Sequence, residues 1–235
     1  LTFAALALVL AANRWMALTS GPFSRPEHRI PYEEIGCTMY TWRIDERRLI
    51  VIRADGGPEF VPVLRGANAQ SMNSVMARWT TIASPIATSK IIPFEVILAM
   101  IWQESKGNPG AFRQEPDGQT GIGLMQITNR SLKAGHSDVE LYDPKLNIRI
   151  GTEYVAVLVN RYGTDWPKIF AAFNSGSVRP STKNQWGMVC THGHVDGEVA
   201  AYNYAIEQEL DAAQRALMAQ FDLRDIVDPL ARRPS

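Results

Sequence analysis

The run Ile91–Gln103, IIPFEVILAMIWQ, constrains the fold more than any other stretch, because it is almost wholly apolar, has helical period, and leads directly into a carboxylate, Glu104. Phe94, Ile97 and Ile101 recur at helical spacing, and Pro93 suits a first helical position, where its missing N–H is no loss. A helix this apolar must be buried, so the rest of the chain is expected to wrap it. At about 100° per residue, Glu104 falls within about 20° of Ile97 and so points toward the apolar side. Gly107 and Pro109 then stop the helix. Poor solvation beside apolar side chains and the negative end of the helix dipole both favour the neutral, proton-carrying form of such a carboxyl. A general acid working near neutral pH needs that form. The plain alternative is a terminal Glu that reaches into water or meets an Arg.

Around this helix the chain divides into four parts. Residues 1–31 are an apolar N-terminal segment and linker, 32–66 a small β-meander, 67–222 the main domain and 223–235 a polar tail. Residues 1–12, LTFAALALVLAA, are too short to span a bilayer comfortably and suit a signal-peptide core or anchor remnant; a helix packed on the domain is the alternative. Ser20 to Pro31, rich in proline, reads as a linker. Thr38–Ile44 and Leu49–Arg53 are β-branched and aromatic runs separated by polar residues, and Phe60 to Leu64 reads as a third strand. A meander of this size should pack on the helical domain.

Asn68 to about Ile86 has Met72, Val75, Met76 and Trp79 on one side of a helix, with Pro85 and Pro93 as punctuation. Lys106 to Thr120 reads as a loop or short β-tongue able to line a cleft. Asp143-Pro144 opens a helix that runs to Gly163, and Asp165-Trp166-Pro167 opens another ending at Asn174-Ser175-Gly176. Val199, Tyr202, Ile206, Leu210, Ala213 and Leu217 form a long final stripe. The fold class is therefore α+β, mainly α-helical.

Three ordered motifs carry a resemblance. Glu104-Ser105 followed by Gly-Asn-Pro and Gly123-Leu124-Met125-Gln126-Ile127, then Ala172-Phe173-Asn174-Ser175-Gly176, then Glu198 with Tyr202, resemble the catalytic region of the soluble lytic transglycosylases, relatives of goose-type lysozyme, over about Ser71 to Leu217. The resemblance implies a lysozyme-like domain that cleaves peptidoglycan glycan strands between MurNAc and GlcNAc. It assigns Glu104 both acid and base roles, closing a 1,6-anhydro ring without water, so that no second carboxylate is required. It also implies a cleft formed by Ser105, Gly123, Leu124, Met125, Gln126, Phe173, Asn174, Ser175 and Gly176, with Met125 and Gln126 approaching the sugar and Tyr202 reaching the Glu104 neighbourhood. Phe173 stands where the family has Tyr, and Val199 and Ala200 where it has Thr and Arg.

Asp117 lies at the spacing from Glu104 at which goose-type lysozymes carry a water-positioning Asp, so a hydrolysing muramidase is the alternative. Their second such Asp is replaced here by Thr128, and Pro116-Asp117-Gly118 is also an ordinary turn. A non-catalytic peptidoglycan-binding scaffold is the alternative from another class. Thr191-His192-Gly193-His194-Val195-Asp196 resembles the start of a metallo-β-lactamase metal motif, but Gly197 stands where that motif needs another His. Zinc sites want three or four ligands, so this run is expected to be a polar loop before the last helix, with no metal and no cofactor.

Twenty-four basic residues balance 24 acidic ones, which does not suit a nucleic-acid binder. The expected partner is the glycan strand, with the meander as an extra groove wall, a structural appendage, or a docking surface for a secretion or phage apparatus. The expected location is the bacterial cell envelope, with a phage-encoded lysin as the alternative. In an exported protein Cys37 and Cys190 are a possible disulfide; two buried thiols are the other reading.

Overall fold

The computed structural model describes residues 30–31, 40–45, 47–53, 59–114, 118–128, 135–176 and 192–220. The apolar segment 1–12, Cys37, Asp117, Cys190 and the tail from Arg224 lie outside the described residues. Among those described there are five α-helices, α1 (Gly66–Ser89), α2 (Phe94–Ser105), α3 (Pro144–Tyr162), α4 (Trp166–Ser175) and α5 (His192–Gln220). Two small antiparallel sheets accompany them: β1 (Ile30–Pro31), β2 (Tyr40–Asp45) and β3 (Arg48–Arg53), and β4 (Phe112–Gln114), β5 (Thr120–Ile122) and β6 (Ile127–Thr128).

Helix α2 is the core, packed between α1 and α5. Every residue from Glu95 to Ile101 is wholly buried, as its composition requires. Pro93 stands just outside it as the N-cap. At the other end Lys106 takes a left-handed conformation (φ 53°) and Gly107 follows at φ 77°. Their N–H groups close back on Trp102 and Ile101, which satisfies the last carbonyls. A side chain at Gly107 would sit 2.8 Å from Val75 of α1, and Trp79 donates its indole N–H to the Gly107 carbonyl at 3.1 Å. The glycine therefore both ends α2 and lets α1 close over that end.

Helix α1 runs through Pro85 and ends at Ser89, three residues beyond the end expected near Ile86. Ala83 and Ala87 on either side of the proline are fully buried, and that packing outweighs the one backbone bond that proline removes. Asp143 caps α3 as expected, its carboxylate accepting from Leu146 N–H at 2.7 Å.

The hairpin β2–β3 packs on the helices through Leu49 and Val51. Its third strand is β1, paired with β2, and not Phe60 to Leu64, which contributes only a single bridge between Phe60 and Val51. The reason is Asn203 of α5. Its amide accepts from Leu49 N–H at 2.8 Å and donates to Leu49 O at 2.9 Å and Pro62 O at 2.8 Å. A side chain thus takes the hydrogen bonds that a third strand would have supplied.

The hairpin turn is held by Arg47, whose guanidinium reaches Glu95 at 2.7 Å and Glu209 at 2.8 Å. Burial, together with Glu209 beside it, pushes Glu95 from the ordinary 4.5 up to about 7, against the pull of Arg47. A carboxyl raised in the folded state binds more protons there than in the unfolded chain. Its contribution to stability is complete below about pH 4.5 and is lost as the pH rises through about 7. Glu95→Gln should remove that dependence. Melting curves from pH 4.5 to 7.5 should show the variant gaining on the wild type with rising pH, on the order of 1–2 kcal/mol across the window.

Candidate functional site

The motif carboxylates converge on a residue from the run expected to be a polar loop. That run is the first turn of α5, which starts at His192. His194 and Glu198 therefore lie one turn apart on the same face. Glu104, in the last turn of α2, meets them there, its side chain 3% exposed.

The His194 Nε2 lies 3.3 Å from Glu104 Oε1 and 3.5 Å from Glu198 Oε2. It sits between the two carboxylates without the alignment of a hydrogen bond to either, and among the described residues neither Glu198 oxygen has a hydrogen-bond partner. On the far side of the ring, the amide nitrogens of Gln103 and Asn174 each lie 3.4 Å from Nδ1, to which they can donate only when that nitrogen carries no proton. Gly197 permits this approach, since a Cβ there would stand 2.4 Å from Gln103 Oε1.

Burial works against a charged His194, but Glu198 and Glu104 outweigh it and push the imidazole up to about 10. That shift favours the protonated ring. Burial also raises Glu198, with Glu104 adding to the rise and His194 and Lys106 opposing it. Lys106, seated 3.2 Å from the centroid of the Trp102 ring, is lowered by burial to about 8 while the two carboxylates work the other way.

The donor atoms of Glu104, His194 and Glu198 all lie within 4.8 Å of one another. The three side chains are read together as one electrostatically coupled cluster.

The Gly123–Gln126 turn is built differently from the sequence expectation. Leu124 and Met125 are wholly buried, and the Met125 sulfur fills the space left by Gly151 of α3, where a Cβ would stand 2.3 Å from it. Gln126 folds back with φ 46°, its amide donating to Gly123 O at 3.0 Å. Met125 and Gln126 therefore shape the turn from inside and do not present side chains to a sugar.

The residue that fixes this turn is Asn147 of α3, buried and unnoticed in the sequence. It accepts from Met125 N–H at 2.8 Å and donates to Ile122 O at 2.9 Å and Leu141 O at 2.8 Å. Gly123, at φ 77°, is required beside it, because a Cβ would stand 2.4 Å from the Asn147 amide.

Ser105 bonds the Ile101 carbonyl at 3.1 Å and receives Gly107 N–H at 3.2 Å, finishing α2. Phe173 packs against Tyr154, ring centroids 5.6 Å apart. Ser175 donates to Ala171 O at 2.7 Å, and Gly176 ends α4 in the left-handed region. Tyr202 does not join this site. Its hydroxyl donates to Arg47 O at 2.8 Å, and the charges acting on it are Glu95, Arg47 and Glu209. Three residues beyond Val199, it lies on the part of α5 that faces the hairpin.

The sequence contained a signal for His194, namely its spacing of four from Glu198, but that spacing has meaning only once both are placed on a helix. For Asn147 there was no signal beyond a polar residue on a buried face.

Residues 84–187 match the family model for the transglycosylase SLT domain. The chain is 33% identical over 105 residues to the membrane-bound lytic murein transglycosylase E of Buchnera aphidicola, the match covering 40% of this chain and 46% of that protein. It is 34% identical over 91 residues to the invasion protein IagB of Salmonella typhimurium, covering 37% of this chain and 56% of that one. The chain thus matches about half the length of these curated relatives. Among solved structures it is similar to the 70 kDa soluble lytic transglycosylase SLT70 of Escherichia coli. That likeness has 25% identity and a TM-score of 0.44, and covers 60% of this chain and 29% of that one.

Proposed function

With a transglycosylase SLT domain at residues 84–187 as the premise, we propose that this protein cleaves the β-1,4 bond between MurNAc and GlcNAc in peptidoglycan without water, leaving 1,6-anhydroMurNAc ends. Glu104 protonates the bridging oxygen as the glycosidic bond breaks. The same carboxylate then takes the proton of the muramyl C6 hydroxyl as that oxygen bonds to C1. The attacking group belongs to the substrate, so the second step gains from proximity.

The observation that carries this reading is the placement of the carboxylates. A hydrolase that uses two carboxyl groups needs them about 5–9 Å apart and flanking the scissile bond. Among the described residues the carboxylate beside Glu104 is Glu198, which is completely buried, with an oxygen within 4.8 Å of that of Glu104 across one shared imidazole; Asp117, the candidate of the hydrolase alternative, lies outside the described residues. Such a pair supports one working acid with a buried companion.

Mass spectrometry of the muropeptides released from purified sacculi tests the proposal. Termini lighter by one water than reducing ends are expected; reducing ends would mean hydrolysis. The substrate would place the protein in the bacterial cell envelope. Among the described residues no helix is long and apolar enough to cross a membrane.

A further inference from the structure

We propose that His194 is a positioning residue for this reaction: its imidazolium, wedged between Glu104 and Glu198, holds the Glu104 carboxylate in place and stabilises it during the interval when it has given up its proton. The inference rests on the role given to Glu104 above.

Without a partner, that interval would be costly. The Glu104 side chain is 3% exposed, so once its proton has gone to the glycosidic oxygen a nearly dry carboxylate is left behind. Among the described residues His194 Nε2, at 3.3 Å, is the nearest basic group to it. The ring does not transfer its own proton. The proton that leaves Glu104 goes to the departing sugar oxygen, and the one that returns comes from the C6 hydroxyl, so the imidazolium is unchanged over the cycle.

Three contacts keep the ring in that position. The amide nitrogens of Gln103 and Asn174 lie 3.4 Å from Nδ1 and confine the ring by packing, not as hydrogen bonds to a protonated Nδ1. Glu198, one turn along α5, supplies a second negative charge at 3.5 Å. Gly197 leaves the room that Gln103 occupies. The charges acting on the ring are Glu104 from α2 and Glu198 from α5; Asn174 of α4 contributes only an amide. Lys106, just past α2, faces the same two carboxylates and is unchanged in the variants below.

The sign of the effect follows. A cation beside an acid favours loss of its proton, so removing the cation should let the acid form persist to higher pH. In the pH profile of turnover on purified sacculi, His194→Ala and His194→Gln should both move the basic limb upward by about one pH unit, with a lower rate at the optimum. His194→Gln is the sharper variant, since it keeps an amide of similar reach and removes only the charge. A Gln variant whose limb coincides with the wild type would overturn the proposal and leave His194 a packing residue.

The unmodified protein supplies a second measurement that does not depend on a variant folding. Imidazole nitrogen NMR should find His194 protonated through pH 8, and a neutral ring at pH 7 would also overturn the proposal. Failure of the underlying reading looks different: Glu104→Gln would retain lysis, or the products would carry reducing ends, whatever the limb does.

Discussion

Glu104→Gln should lower glycan-strand cleavage by about 10²–10⁴-fold, the range expected when a positioned acid–base group is lost, while the protein melts close to the wild type. Glutamine keeps the shape of the side chain but can neither give the bridging oxygen a proton at a useful rate nor take one back. Because both halves of the proposed reaction pass through this one carboxyl, no compensating route is expected at any pH. The side chain is almost fully enclosed and faces an imidazolium, so the neutral amide loses a charge contact but relieves the burial of an acid. These two effects on stability oppose each other. Release of soluble muropeptides, with thermal melting in parallel, checks both parts. Lysis within tenfold of the wild type would remove Glu104 from the chemistry.

Asn147→Leu should be the most damaging single change to the fold near the site. Asn147 is completely buried and ties three backbone groups, Met125 N–H, Ile122 O and Leu141 O. A leucine of similar size leaves all three without partners in a dry interior, at about 1–3 kcal/mol each. A loss of about 3–6 kcal/mol is expected, a large part of the roughly 5–15 kcal/mol that holds a domain together. Urea unfolding measures it, and a loss below 1 kcal/mol would mean that these carbonyls find other partners. Activity should fall with it even below the melting point, because the turn from Gly123 to Gln126 would no longer be pinned to α3.

Much of the fold was legible because hydrophobic period and caps are local. The buried α2, its stop after Ser105, the Asp143 cap and the ends of α3 and α4 are all set by residues within a turn or two of each other. What escaped was set by distant partners. Asn203 substitutes for a strand 141 residues earlier in the chain, and nothing in either segment alone indicates that pairing. Tyr202 matched a motif, but which neighbour its hydroxyl meets depends on where the hairpin docks. Met125 matched as well; that its sulfur turns inward to fill the gap left by Gly151 depends on how α3 lies against the turn. At the site itself the inward placement of Glu104 was legible from its position on an apolar helix. Its imidazole neighbour was not, because the helix that presents it begins earlier than its apolar stripe does.

Helix α5 carries two attachments at once, the cluster in its first turns and the hairpin seat through Asn203 and Glu209 further along. Neither α5 nor the hairpin falls within residues 84–187. A fragment trimmed to that span would lose the imidazole and Glu198, keep Gln103 and Asn174 without the ring they confine, and leave Glu95 without its arginine. The smallest piece worth expressing to test the proposed activity therefore reaches from the hairpin to the end of α5.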